Sequence, residues 1–437
     1  MRKLLALFLA SVLFFSPTVL AEDDAVEQEE FLFTQYFDTS IEITLYHDDA
    51  DLESIEDSLE SRLSELHDLA TRYDETDVTN IKTINDNPGV AHEVDDDLFE
   101  MVRLGVEYHD KTNGYFNIAL GPVIDIWNEL LERGVGVEIP REDLPSEETL
   151  EAAGAHTDVS DITLDEEAGT IRIEEGMSLD LGGIAKGYAA REGGNLLKQQ
   201  PGVDSFVFNA GTSNIEVYGE HPQRESGLWH IPIVDPAYEG DIWSIITGQR
   251  ETFAEVHLAD GENIVGSGNY ERYVTVDDVP YHHLIDPFTY LPAGVEELER
   301  SRGERIRDEL LCRTELDHFL GAWLIHDDPL IGDILVTAAY LMPIEDALDF
   351  IEEIDDTEGI FYGADDRIFR TSGFDGELYD DDFSDPDDRA PCLLPIVLIT
   401  GGFILAVGGT LLVMRIRNRR KKKAAPRAHR PPPEEEE

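Results

Sequence analysis

Positive charge is what this sequence has least of. Its 33 lysines and arginines face 94 aspartates and glutamates, for a net charge of −61. Between residues 4 and 420 the only lysines are Lys82, Lys111, Lys186 and Lys198. A chain so acidic repels nucleic acid and anionic lipid, which excludes nonspecific binding to either. The charge describes a solvated surface suited to a saline habitat rather than a catalytic device. Cysteine is nearly absent too: Cys312 and Cys392 are the whole complement. No internal disulfide is expected from them, and no zinc site can be built on them. No internal repeat of convincing length is found.

Long apolar runs are also scarce, and the two that exist lie near the ends. Residues 1–21 read as a signal peptide, with basic Arg2 and Lys3, an apolar middle, and Val19-Leu20-Ala21 as a cleavage-type ending. No cysteine follows that site to take a lipid. The second run, CLLPIVLITGGFILAVGGTLLVM, covers residues 392–414 without a charge and is long enough for roughly 30 Å of hydrocarbon. RIRNRRKKK follows at once, so residues 415–437 are expected to be a basic cytoplasmic tail and everything before the span to lie outside. Leaving out the leader's two basic residues, the tail's nine and the terminal four glutamates, 22 basic residues remain against 90 acidic ones, a net charge near −68. Residues 373–390 carry eight acidic residues and one arginine, so 356–391 read as an acidic stalk joining a folded domain at 31–355 to the membrane.

Within that domain helical and strand patterns mix. FLFTQYFDTSIEITLY (31–46) reads as a strand with a turn before it. From Leu52, apolar positions Ile55, Leu59, Leu63, Leu66 and Leu69 follow at helical spacing, and a second helix is predicted from Asp97 to Asp110. DITLD, TIRIEE, SFVFNAG, SNIEVYG, WHIPIVD and YVTVDD read as strands. The mixture implies an α+β fold rather than a doubly wound sheet.

One of the rare lysines sits in SLDLGGIAKGYAA (178–190), where two glycines separate a strand-like piece from a helical one. Glycines there let backbone N–H groups approach an anion, and a helix start favours negative charge. Lys186 adds a full positive charge, which suggests a phosphate or pyrophosphate site. Alone, the motif equally fits a Gly-Gly turn before a surface helix. Four more stretches occur in order around it: TRYDETDVTNI (71–81), TNGYFNIALGPVIDIWN (112–128), FNAGTSNIEVYG (208–219) and YHHLIDPFTYLPA (281–293). Together they resemble the ApbE family, the FAD:protein FMN transferases, over roughly residues 31–350.

The resemblance implies a T-fold-like flavin transferase ectodomain, which the apolar run at 392–414 would carry on a C-terminal single transmembrane helix. It implies an Mg²⁺-dependent enzyme that splits FAD, releases AMP and joins FMN to a threonine or serine of an extracytoplasmic flavoprotein, often a subunit of a membrane redox complex. Phe37, Tyr73 and the turn Tyr115-Phe116-Asn117 fall where the family contacts flavin or adenine. Asp180 and Lys186 fall on the cofactor-binding glycine motif, and Leu284 or Ile285 would line the cofactor. Gly183, through its carbonyl, and Asp333 and Thr337 of IGDILVTAAYLM would hold the metal. A carboxylate, a hydroxyl and a carbonyl are hard ligands suited to Mg²⁺, and residues four apart share a helix face. His283 takes the place of the family's histidine before Ile-Asp-Pro and would accept the acceptor's proton. His282, on the opposite side of a strand, is expected to face solvent. Asp286 would orient the turn or assist catalysis.

The chain departs from the family pattern in places. Thr212 and Tyr290 stand where glycines are usual, and 294–330 looks helical where a strand should precede the metal helix. A metal-dependent FAD pyrophosphatase and a non-catalytic, membrane-tethered flavin-binding protein are the competing readings. The joint presence of Asp180, Lys186, His283, Asp333 and Thr337 argues against the last. No acceptor-like Ser-Gly-Ala-Thr occurs in the chain, so self-flavinylation is not expected.

Overall fold

The structure, a computed structural model, describes residues 26–211, 213–236, 252–296, 298, 317–365 and 367–379. The leader, Thr212, the apolar run 392–414 and the basic tail lie outside them. Among the described residues no helix is long and apolar enough to cross a membrane.

The chain begins with β1 (Glu27–Phe33), β2 (Ile41–His47), α1 (Leu52–Ala70), α2 (Ile81–Asp86), β3 (His92–Glu93) and α3 (Asp96–Lys111). It continues through α4 (Gly121–Leu131), β4 (Val137–Glu138), α5 (Glu147–Gly154), β5 (Thr163–Asp165), β6 (Thr170–Arg172) and α6 (Ala185–Lys198). Then come β7 (Val203–Ala210), β8 (Asn214–Tyr218), β9 (Trp229–Val234), β10 (Thr252–Leu258), β11 (Asn263–Gly268), β12 (Tyr273–Val276) and β13 (Val279–His282). The last described elements are β14 (Phe319–His326), α7 (Pro329–Leu341), α8 (Ile344–Glu352), β15 (Thr357–Gly363), β16 (Ile368–Arg370) and β17 (Gly376–Leu378).

Eight strands form one sheet in the order β1-β2-β7-β8-β11-β14-β15-β16, and every neighbouring pair in it is antiparallel. The α+β expectation holds. Side chains alternate across a strand, so the sheet has two apolar faces. Leu45, Leu324 and Phe361 join the buried side of α1, α3, α6 and α7. Tyr46, Trp323, Ile360 and Tyr362 instead meet a small sheet, β17-β10-β9. A third cluster packs α4 against β12 and β13.

Local sequence explains the elements on the helical face. Ile55, Leu59, Leu63, Leu66 and Leu69 form the buried stripe of α1, and Asp51 caps its start by accepting from Ser54 N–H at 3.3 Å. Helix α7 is apolar on nearly all sides because α6 covers one flank and β11 and β14 another. Asp328 caps it from Leu330 N–H at 2.9 Å, with Pro329 at the first position.

Three expectations are corrected. Residues 31–46 contain two strands, not one, with Phe37 and Asp38 in the turn at φ 53°. The domain does not stop at 355: β15 is a central strand whose Ile360 and Phe361 are fully buried, and β17 reaches Leu378. The acidic pattern beyond 373 hid that last strand. The strand required before α7 is β14, FLGAWLIH, which is apolar through most of its length because it lies mid-sheet.

Candidate active site

The glycine segment is not part of a β-ladder. Leu179 N–H donates to Asn85 Oδ1 at 2.7 Å, and its carbonyl accepts from Asn85 Nδ2 at 2.9 Å. Asp180 N–H donates to Ile118 O at 2.8 Å. These bonds present residues 180–184 as a loop leading into α6, whose N-cap residue Ile184 contributes no side-chain cap. Helix α6 then lies very close to α7. A β-carbon on Gly187 would fall 2.6 Å from Pro329 O and 2.8 Å from Leu330 Cα, so only glycine permits this crossing.

That crossing brings the expected oxygen ligands together. Gly187 N–H donates to Asp333 Oδ2 at 3.0 Å, and a β-carbon on Gly183 would lie 3.3 Å from Thr337 Oγ1. Thr337 donates to Asp333 O at 2.8 Å, so its hydroxyl lone pairs remain available. Asp333 is buried, and burial pushes its carboxyl above the ordinary value although Lys186, Gly187 N–H and Asn214 pull it back. A buried carboxylate so incompletely compensated, beside a hydroxyl and a glycine backbone, fits a hard cation such as Mg²⁺.

Two cations lie near His283, Lys186 in the first turn of α6 and Arg272 just before β12. Lys186 is half-buried and Arg272 exposed, and neither forms an ion pair among the described residues. Both lie close enough to His283 to act on its charge. His283 follows the end of β13 and is half-buried. Burial, then His282, Arg272 and Lys186, lowers its imidazole to about 3. Its Nδ1 lies 3.3 Å from Arg272 O. A carbonyl only accepts, so Nδ1 carries the hydrogen and the lone pair sits on Nε2.

Arg272 also donates to Asn128 Oδ1 at 3.3 Å, and Asn128 Nδ2 donates to the Tyr73 hydroxyl at 3.0 Å. Tyr73 is 54% exposed and lies beside Arg72. The buried Arg72 donates to Asp180 Oδ2 at 2.6 Å and to Asp125 Oδ1 at 2.8 Å. Asp180 therefore acts as an anchor for the loop, accepting also from Gly182 N–H at 2.8 Å. Phe116 closes the rim, its ring 3.0 Å from where a Gly183 β-carbon would be.

Other expected residues are placed differently. Ile285 is buried in the cluster around α4, whereas Leu284 packs on the edge of the main core. His282 does not face solvent. It is 2% exposed, with Nε2 donating to Ala293 O at 2.9 Å and Nδ1 accepting from Leu284 N–H at 3.2 Å. Asp286 orients the turn: its Oδ1 accepts from Phe288 N–H at 2.7 Å. Asn117 is spent on the backbone at Thr157 and Ala119. Tyr115 stacks edge-on against Phe288, and Phe37 packs on His67 of α1. Tyr290 occupies the usual glycine position at φ 61°, with its ring over Gly154, where any β-carbon would come within 2.2 Å. Arg72, Arg272 and Asn128 went unselected in the sequence. The scarcity of basic residues was the signal that could have marked the two arginines.

The ApbE family model matches residues 37–298. The FAD:protein FMN transferase of Klebsiella pneumoniae is 25% identical over 60% of this chain and 68% of its own length. That of Treponema pallidum is 26% identical over 64% and 69%. Among solved structures, the ApbE protein of Thermotoga maritima superposes with a TM-score of 0.63 at 22% identity, covering 79% of this chain and 97% of that one. The flavin transferase ApbE of Vibrio cholerae gives 0.62 at 19%, covering 80% and 99%.

Proposed function

The chain belongs to the ApbE family, and from that premise we propose that it is an FAD:protein FMN transferase. It takes FMN from FAD and places it on a threonine or serine hydroxyl of an extracytoplasmic flavoprotein, with release of AMP. The observation that carries the reading is the pair Lys186 and Arg272, neither in an ion pair among the described residues of a strongly acidic protein and both acting on His283. Such a site suits a pyrophosphate.

The acceptor oxygen attacks the FMN phosphorus, the bond from phosphorus to the AMP oxygen breaks, and AMP leaves. His283 Nε2 takes the acceptor's proton, its tautomer held by Arg272 O. Lys186 and Arg272 offset the charge spread over the phosphoryl oxygens, and the loop anchored by Arg72 and Asp180 holds the pyrophosphate in line. Gly183, Asp333 and Thr337 are the residues that would hold Mg²⁺, which when bound supplies further charge neutralisation. The leader and the 392–414 run support a body outside the cytoplasm, tethered to the cell membrane and facing acceptors there.

The test mixes the protein with FAD, Mg²⁺ and a candidate acceptor, and scores covalent flavin fluorescence on the acceptor together with AMP. Both should appear, and both should vanish in excess EDTA. AMP without labelled acceptor, across acceptors tried, would instead support the pyrophosphatase reading. Undiminished AMP release in EDTA would overturn the metal assignment.

A further inference from the structure

A second group of ligating side chains lies on the other side of the large sheet from Lys186 and Asp333. In β10, Ala254, Val256 and Leu258 face the core, which puts Glu255 and His257 on the outer face of β17-β10-β9. His230 of β9 is directly opposite His257, and Glu377 of β17 is directly opposite Glu255. Glu255 Oε1 lies 2.7 Å from His230 Nδ1 and 3.2 Å from His257 Nε2, and the three ligand atoms all fall within 4.8 Å of one another. The Tyr379 hydroxyl holds the other carboxylate oxygen, Oε2, at 2.8 Å.

We propose that His230, Glu255 and His257 form a binding site for a divalent transition ion of the zinc class, separate from the Mg²⁺ site. Two imidazoles and one carboxylate suit Zn²⁺, Ni²⁺ or Cu²⁺ and not Mg²⁺, which prefers oxygen throughout. A tetrahedral ion about 2.0–2.2 Å from each ligand needs them about 3.3 Å apart, so small rotations of the rings suffice. Glu377 against Glu255 places like charges across the strand pair, an arrangement that a bound cation relieves. Tyr379 supplies the outer hydrogen bond that fixes a ligating carboxylate. The rings are partly exposed, at 22% and 17%, so an ion can reach them. The ion would fasten the paired strands β9 and β10 to each other on the sheet that β17 completes.

The experiment uses the full-length protein purified without a histidine tag, in millimolar Mg²⁺ to fill the oxygen site. Zn²⁺ is titrated against a competing chelator, and unfolding temperature is followed with and without Zn²⁺. Wild type should bind one equivalent that His230→Gln and His257→Gln each weaken by about tenfold or more, while Zn²⁺ raises the unfolding temperature of wild type alone. Both variants should unfold at the wild-type temperature in chelator, which separates ligand loss from misfolding. Wild type and the double variant binding Zn²⁺ equally would overturn the site. So would wild-type Zn²⁺ binding displaced in full by Mg²⁺.

Discussion

At the scale of single residues, His283 differs from an ordinary histidine in one decisive respect. A free imidazole titrates near ~6.5, but burial and the neighbouring His282, Arg272 and Lys186 disfavour its charged form and bring it to about 3. A pKa depressed this far leaves the ring neutral, with Nε2 able to accept a proton, across the range from about pH 5 to 8. A falling acid limb near pH 6.5 is therefore not expected in kcat/KM, which reports the free enzyme. The measurement is a kcat/KM profile from pH 5 to 8 beside His283→Ala. Wild type should show no limb from this group, and the variant should lose transfer by roughly 10²–10⁴-fold while binding FAD nearly as well. A wild-type limb centred near 6.5 that His283→Ala removes would show that the ring titrates normally. His282→Ala is no neutral control, since His282 is buried and hydrogen-bonded at both nitrogens.

At the scale of elements, the site depends on how closely α6 and α7 approach. Spacing alone places Asp333 and Thr337 on one face of α7, and the motif places Gly183 and Lys186 at the start of α6. That these two faces meet is a property of the crossing, made possible by Gly187. Alanine is a better helix former than glycine by about 1 kcal/mol, so Gly187→Ala would stabilise an isolated helix. Here its methyl meets backbone atoms of α7 that cannot turn aside, and overpacking of this kind costs about 1–3 kcal/mol. Net destabilisation is expected, read as a lowered denaturation midpoint, together with a raised Mg²⁺ requirement as Asp333 is pushed from Gly183. An unchanged midpoint and unchanged Mg²⁺ dependence would mean that the helices separate freely. Tyr290 teaches the complementary lesson. A residue that breaks the expected glycine pattern keeps the turn because Gly154 makes room for its ring and Trp127 Nε1 binds its carbonyl at 2.8 Å.

At the scale of the whole molecule, charge dominates. A body near −68 repels itself, and screening shortens the reach of that repulsion from about 10 Å at 0.1 M salt to about 3 Å at 1 M. The unfolding temperature should rise with KCl across that range, followed by circular dichroism; a flat or falling curve would show that local ion pairs such as Arg62–Asp97 outweigh the global field. The sequence by itself determined the α+β class, the amphipathic stripe of α1, the family, and the motif positions of Lys186, Asp333, Thr337 and His283. Those follow from local periodicity and from residue types in order along the chain. Only the tertiary structure decided that Arg72 anchors Asp180, that Arg272 sets the His283 tautomer, that Ile285 and His282 turn inward, and that β15 and β17 belong to the body. The Arg272 contact depends on the register between β12 and β13; the others are contacts between segments far apart in sequence or burials created by a neighbouring layer, and no local pattern encodes which side of a strand a distant element will cover.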